Sequence, residues 1–290
     1  MTDLEIRLAK KAGFCFGVKR AVDLAYKNQD KEGTYTFGPI IHNDRVIGEL
    51  SEKGIKPIDE IEGQDLKHLI IRSHGVAPDV YEAANKQGIE VVDATCPYVR
   101  KIHKLVQEYS QKDYTILIVG DAQHPEIQGI SGWASQGCFI VKDKTQCLAM
   151  DLAKEGKDYL VVAQTTYKKE VVEEVVNYLK EKGYSYKFIN TICNATKERQ
   201  DEAAQMAKEV DAMFIIGSSL SSNTRKLYEV CKMYCDKSYC IADASEVDRN
   251  LLEGCEKIGI TAGASTPQSV IQEVIERLEE RKELEENHEL

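Results

Sequence analysis

ATCPYVRKIHKLVQEYSQKDYTILIVG, residues 94–120, reads as a strand end, a cysteine, a helix and a second strand closed by glycine. Pro97 stands directly after Cys96, at the first helical position, where a missing amide costs nothing. Val99, Ile102, Leu105, Val106 and Tyr109 then recur at helical spacing, and Ile116 to Val119 form a short apolar run before Gly120. The same unit occurs twice more. Gly13-Phe14-Cys15-Phe16 leads to Thr36-Phe37-Gly38, and Thr191-Ile192-Cys193-Asn194 leads to Met213-Phe214-Ile215-Ile216-Gly217. From cysteine to glycine the chain runs 23, 24 and 24 residues, and four residues past each glycine stand His42, His124 and Ser221.

Each cysteine also follows an alternating, strand-like run: Leu4 to Ala9, Ile89 to Val92, and Tyr186 to Ile189. A further apolar strand in each unit ends in a polar loop, at Arg72-Ser73-His74-Gly75, Gln164-Thr165-Thr166 and Gly263-Ala264-Ser265. Helical patterns follow at Pro78 to Lys86, Lys169 to Lys182 and Pro267 to about Arg281. Strands alternating with helices of this length predict parallel α/β layers. The repeat predicts three similar α/β lobes about a pseudo-threefold axis, a trefoil-like arrangement. The expected lobes are 14–95, 96–192, and 193–290 together with 1–13, the N-terminal strand completing the third.

Size and charge narrow the function. The 290 residues are 42% hydrophobic and carry a net charge of −10, which argues against a nucleic-acid groove or an anionic membrane surface. Met1 to Glu5 show no apolar leader, and no apolar run approaches the ~20 residues that cross a bilayer, so a cytoplasmic enzyme is expected. In a reducing compartment cysteine clusters serve as metal ligands or redox groups more often than as disulfides.

Reactive groups in α/β sheets gather beyond the carboxyl ends of strands, which is where all these cysteines and polar loops fall. Cys15, Cys96 and Cys193 each precede a helix, whose dipole favours thiolate. Three thiolates with one position unfilled suit an open iron–sulfur cluster, whereas zinc would ask for a fourth ligand and tighter spacing. The other six cysteines, Cys231, Cys235 and Cys240 among them, are expected to pack as small apolar groups. His42, His74 and His124 follow strand ends and suggest an anion or substrate site. His68, in a polar connection, His103, on a helix, and His288 are expected at the surface. Glu126 is a candidate general acid, since a dry pocket raises a carboxyl pKa. Ser221, Ser222, Asn223 and Ser265 suit both helix capping and a phosphate cradle. No phosphate-binding P-loop and no dinucleotide fingerprint is present, so electrons would come from an outside donor.

The motifs AGFCFGVKRAV, GPIIHN, IRSHGV, DATCPYV, GDAQHPEIQG, AQTTY, TICNAT, SSLSSNTRKL and TAGAST closely resemble the 4-hydroxy-3-methylbut-2-enyl diphosphate reductases, over residues 4 to about 280. That family closes the non-mevalonate isoprenoid route. The resemblance implies a [4Fe–4S] cluster held by Cys15, Cys96 and Cys193, with one iron left open. It also implies an allylic diphosphate bound by His42, His74, His124, Ser221, Ser222, Asn223 and Ser265. Glu126 would be the proton donor, with Thr165 or its neighbour Thr166 near the substrate hydroxyl. Ferredoxin or flavodoxin would supply electrons, and isopentenyl and dimethylallyl diphosphate would be the two products.

Overall fold

The computed structural model describes residues 4–63, 65–150, 152 and 156–287. The chain forms two compact units, Met1–Phe16 with His42–Val46 and Asn194–Leu290, and Gly17–Ile41 with Ile47–Cys193. His288 lies outside the described residues.

The second unit holds two four-stranded sheets. One contains β2 (Thr34–Phe37), β3 (Lys56–Ile58), β4 (His68–Ile71) and β5 (Glu90–Asp93), in the order β3-β2-β4-β5. The other contains β6 (Thr115–Val119), β7 (Cys138–Val141), β8 (Asp158–Ala163) and β9 (Ser185–Phe188), in the order β7-β6-β8-β9. The first unit holds the third sheet, β11-β10-β12-β1, from β1 (Glu5–Leu8), β10 (Ala212–Ile216), β11 (Ser238–Ile241) and β12 (Lys257–Ala262). Every pairing in the three sheets is parallel.

The three orders are the same pattern. A strand ending in the repeat glycine lies beside the strand ending in the polar loop, and the next position belongs to the strand before a cysteine. β5 and β9 fill that position in their sheets. In the third sheet β1 fills it, pairing Glu5 with Lys257 through Leu8 with Ile260. The N-terminal strand therefore completes the sheet built by the C-terminal part of the chain.

Ten helices run among the described residues: α1 (Phe16–Lys27), α2 (Asp44–Glu52), α3 (Pro78–Lys86), α4 (Pro97–Gln111), α5 (Pro125–Gly132), α6 (Lys144–Ala149), α7 (Lys169–Glu181), α8 (Asn194–Ala207), α9 (Ser222–Lys232) and α10 (Gln268–Asn287). None is long and apolar enough to cross a membrane. The central strands β4, β6, β8, β10 and β12 are buried on both faces, which explains their apolar runs. Leu117, Val119, Val161 and Ala163 pack against Val172, Val175 and Leu179 of α7. Ile116, Ile118, Leu160 and Val162 point the other way, against Ile102 and Val106 of α4 and Ile127 and Ile130 of α5.

Three features depart from expectation. Each sheet has an edge strand, β3, β7 or β11, that the repeat pattern does not reveal. No cysteine, glycine or polar loop of the repeat marks their ends, and β3 contains Pro57, which lacks a ladder donor and is tolerated at an edge. His68 is not in a connection: it opens β4, half-buried, with Nδ1 3.2 Å from the Glu90 carboxylate.

His103 is not a surface residue. Its position continues the Val99, Ile102, Val106 stripe of α4, and the side chain is 2% exposed. The ring stacks on Trp133 at 5.4 Å and 20°. A side chain at Gly75, where φ is +71°, would collide with it.

Burial pushes the His103 imidazole down from 6.5 to about 4, against the opposing pull of Asp93. The unfolded chain takes up that proton first, so the stability is complete above pH 6.5 and is lost as pH falls toward 4. At pH 5 the loss from this group is about 2 kcal/mol. His103→Phe, which keeps a ring against Trp133, should remove that much of the drop between pH 7 and pH 5 in urea titrations. An unchanged drop would assign it to other groups.

Candidate active site

In the second unit every candidate residue stands just past the carboxyl end of a strand. His74 follows β4, Cys96 follows β5, His124 and Glu126 follow β6, Thr165 follows β8 and Cys193 follows β9. His124 caps α5, with Pro125 at the first helical position, and its Nδ1 accepts the Glu126 amide at 3.1 Å. An accepting Nδ1 leaves the proton of a neutral ring on Nε2, which is then the donor. The His74 ring meets His124 edge-on, with centroids 5.3 Å apart and planes at 81°.

Glu126 is 2% exposed. Its Oε1 accepts the Thr165 amide at 2.6 Å and its Oε2 accepts the Thr165 hydroxyl at 2.7 Å. Burial raises the carboxyl above its usual range, and the two Thr165 bonds oppose that rise without cancelling it. Thr166 is engaged elsewhere, its Oγ1 accepting from Gln164 Nε2 at 3.2 Å. The geometry therefore favours Thr165 as the threonine beside the acid.

Cys193 and Cys96 are tied through their backbone amides to the loops that follow β8 and β4. The Cys193 amide donates to the Thr165 carbonyl at 2.9 Å, and the Cys96 amide to the Ser73 carbonyl at 2.9 Å. Thr191 bridges to Ala163, donating to its carbonyl at 2.6 Å and accepting from its amide at 2.8 Å. Gly17, in the first turn of α1, faces the Cys96 sulfur so closely that any Cβ would strike it. Sequence reading missed Gly17 and Thr191. A glycine inside a helix, costly for propensity, was the available signal for the first.

The first unit gathers hydroxyls and an amide. Ser221 caps α9 and accepts the Thr224 amide at 3.4 Å. Ser222, Asn223 and Ser265 are buried with it. Asn223 Oδ1 accepts the Ala264 amide at 2.9 Å, which orients the side chain. Asn223 Nδ2 and Ser265 Oγ are buried and have no hydrogen-bond partner among the described residues. Such groups cost about 1–3 kcal/mol each unless a ligand meets them, and with the α9 N-terminus they suit an anion. Cys15 lies in the same unit, its amide donating to the Ala264 carbonyl at 3.3 Å. His42 opens the segment 42–46, next to Asn43, whose Oδ1 caps Val46 at 3.1 Å.

Four of the other cysteines, Cys138, Cys147, Cys231 and Cys235, pack in or against hydrophobic clusters, whereas Cys255 Sγ accepts from Lys237 Nζ at 3.5 Å. Cys231 and Cys235 sit among Met213, Ile215 and Leu227, and burial pushes the Cys231 thiol to about 12. Cys147 belongs to the core beneath α7.

Parallel sheets with thiols, imidazoles, hydroxyls and a protonatable carboxyl at their carboxyl edges define an α/β enzyme. The LytB protein family profile matches residues 6–279. A 4-hydroxy-3-methylbut-2-enyl diphosphate reductase of Geobacter sulfurreducens is 46% identical over 279 residues, covering 96% of this chain and 98% of the relative. One of Caldanaerobacter subterraneus subsp. tengcongensis is 43% identical, covering 98% of this chain and 100% of the relative. A solved structure of (E)-4-hydroxy-3-methyl-but-2-enyl diphosphate reductase, the terminal enzyme of the non-mevalonate pathway, aligns with TM-score 0.70 and 40% identity, covering 97% of this chain and 100% of the other. The reductase of Plasmodium falciparum aligns with TM-score 0.89 and 29% identity, covering 94% and 87%. The chain belongs to the LytB family.

Thr165→Val deletes the hydroxyl bond to Glu126 Oε2 and keeps the amide bond to Oε1. The Glu126 carboxyl should then titrate at a higher pH than in the unsubstituted protein, followed by difference infrared spectroscopy. No shift, or a downward one, would show that the hydroxyl does not hold the acid.

Proposed function

We propose that this protein is a 4-hydroxy-3-methylbut-2-enyl diphosphate reductase, removing the allylic hydroxyl of its substrate to give isopentenyl and dimethylallyl diphosphate. Close kinship over nearly the full chain supports this, and the observation that carries the mechanism is the buried Glu126 held by Thr165. The overall change takes one alcohol, two electrons and two protons to one alkene and one water.

Family membership implies an iron–sulfur cofactor. The chain offers a fitting donor set: all nine cysteines are free thiols, and Gly17 leaves no side chain against the Cys96 sulfur. Cys15, Cys96 and Cys193 would hold it as a [4Fe–4S] cluster with one iron lacking a cysteine. When bound, the cluster supplies two single electrons and a Lewis acid toward the hydroxyl oxygen.

The protein's own groups do the rest. Asn223 Nδ2, Ser265 Oγ, Ser221, Ser222 and the imidazoles of His42, His74 and His124 bind the diphosphate and orient the allylic carbon chain. Glu126, whose burial favours the protonated form, gives its proton to the departing hydroxyl oxygen, and Thr165 keeps the carboxyl aimed. A second proton reaches either end of the allylic fragment, so two products form. The expected lobes 14–95, 96–192 and 193–290 with 1–13 would each contribute one thiol; the shared strand order supports that division. Lacking a nucleotide motif, the chain would draw electrons from ferredoxin or flavodoxin, in the cytoplasm, with neither nucleic acid nor membrane as partner.

Glu126→Gln should retain iron and substrate binding while turnover with a chemical reductant collapses. A rate within about tenfold of the parent, under ~1.4 kcal/mol of barrier, would remove Glu126 from the proton-donor role. Turnover without any reductant would instead point to a dehydratase. Cys193→Ser should lose most of its iron, whereas Cys235→Ser should keep iron and rate nearly unchanged. Equal iron loss in the two would overturn the division of the cysteines.

A further inference from the structure

Two arginines outside the reacting set grip the backbone that delivers two of the thiols. Arg199 lies on α8, six residues past Cys193, and is 4% exposed. Its Nε donates to the Lys11 carbonyl at 2.8 Å and its Nη2 to the Gly13 carbonyl at 2.7 Å. Glu202, on the same helix, accepts the amides of Lys10 and Lys11 at 2.8 and 2.9 Å. These bonds take up the short stretch between β1 and Cys15, including Gly13 at φ +91°.

Arg20 repeats the device in the second unit. It lies on α1, five residues past Cys15, and its Nη1 and Nη2 donate to the carbonyls of Thr95 and Asp93, each at 3.2 Å. Asp93 Oδ1 in turn accepts the Thr95 amide at 2.9 Å, and the Cys96 amide is held by Ser73. In both places one guanidinium spans two carbonyls that are two residues apart, the nearer lying two residues before Cys15 and one before Cys96. A planar fork of fixed donors can do this, whereas an ammonium group reaches one acceptor well. Backbone ordered in advance need not be ordered when metal arrives, so the grip lowers the entropic cost of loading.

We propose that Arg199 and Arg20 are positioning residues that preset the thiols of Cys15 and Cys96 for the cofactor. The inference rests on the assignment of those cysteines as ligands. Each helix that follows one cysteine would thus secure the approach to another, Cys193 to Cys15 and Cys15 to Cys96.

The test uses the full chain, purified anaerobically, as Arg199→Met and Arg20→Met. Loss of iron to a ferrous chelator should be about tenfold faster in either variant than in the parent. After iron is stripped, iodoacetamide labelling resolved by mass spectrometry should separate the two. Arg199→Met should speed labelling at Cys15 about fivefold and leave Cys96 alone, and Arg20→Met should do the reverse. Arg199→Lys and Arg20→Lys, keeping one bond of two, should fall between. Faster labelling of both cysteines and of buried Cys231 in either variant would signal general loosening and overturn the proposal, as would unchanged rates. Should Arg199→Met fail to fold, the Arg20 arm, on a less buried side chain, decides by the same criteria. A parent that binds no iron would defeat the functional reading, while the labelling pattern would still judge the arginines.

Discussion

Thr165 uses all three of its polar groups for one purpose. Its amide and hydroxyl both donate to Glu126, and its carbonyl accepts the amide of Cys193. A carboxyl buried without partners costs several kcal/mol, so the two short bonds are what allow Glu126 to sit in the interior at all. They do not overcome burial, and the acid stays raised. That balance leaves a carboxyl that keeps its proton to a higher pH than an exposed one does, which suits a proton donor. Through the carbonyl of Thr165, the same residue sets where the approach to Cys193 begins.

Both units bury polar groups at their strand ends. In the second, the acid and both cysteine amides find partners inside the protein. In the first, Asn223 Nδ2 and Ser265 Oγ remain buried without a hydrogen-bond partner among the described residues, although Asn223 is firmly oriented through its oxygen. Stability alone would not keep such donors, because replacing them with apolar groups of like shape is nearly neutral or better. They read as capacity held for ligand oxygens.

Much of this is legible in the sequence. The cysteine, the glycine and the polar loop recur at nearly constant spacing, and each marks a strand end, so the parallel sheets and the place of β1 could be inferred from punctuation. The edge strands β3, β7 and β11 were not legible, because no cysteine, glycine or polar loop of the repeat marks their ends. His103 was misread because a single imidazole on a helix looks polar, although its position continues the stripe of Val99, Ile102 and Val106. The contacts of Thr165 with Glu126, 39 residues away, leave no trace in spacing. Nor does the hold of Arg20 and Arg199 on carbonyl oxygens, since every residue type carries the same acceptor.

The pairing of β1 with β12 has a consequence for how the molecule comes into being. Residues 5–8 leave the ribosome 252 residues ahead of their neighbours at 257–260. At about 5–20 residues per second, the leading segment waits on the order of tens of seconds for a partner. During that time the segment carrying Cys15 has no sheet to join, while both sheets of the second unit can already close. Translation therefore imposes an order of maturation, in which Cys15 is made well before the sheet that β1 joins.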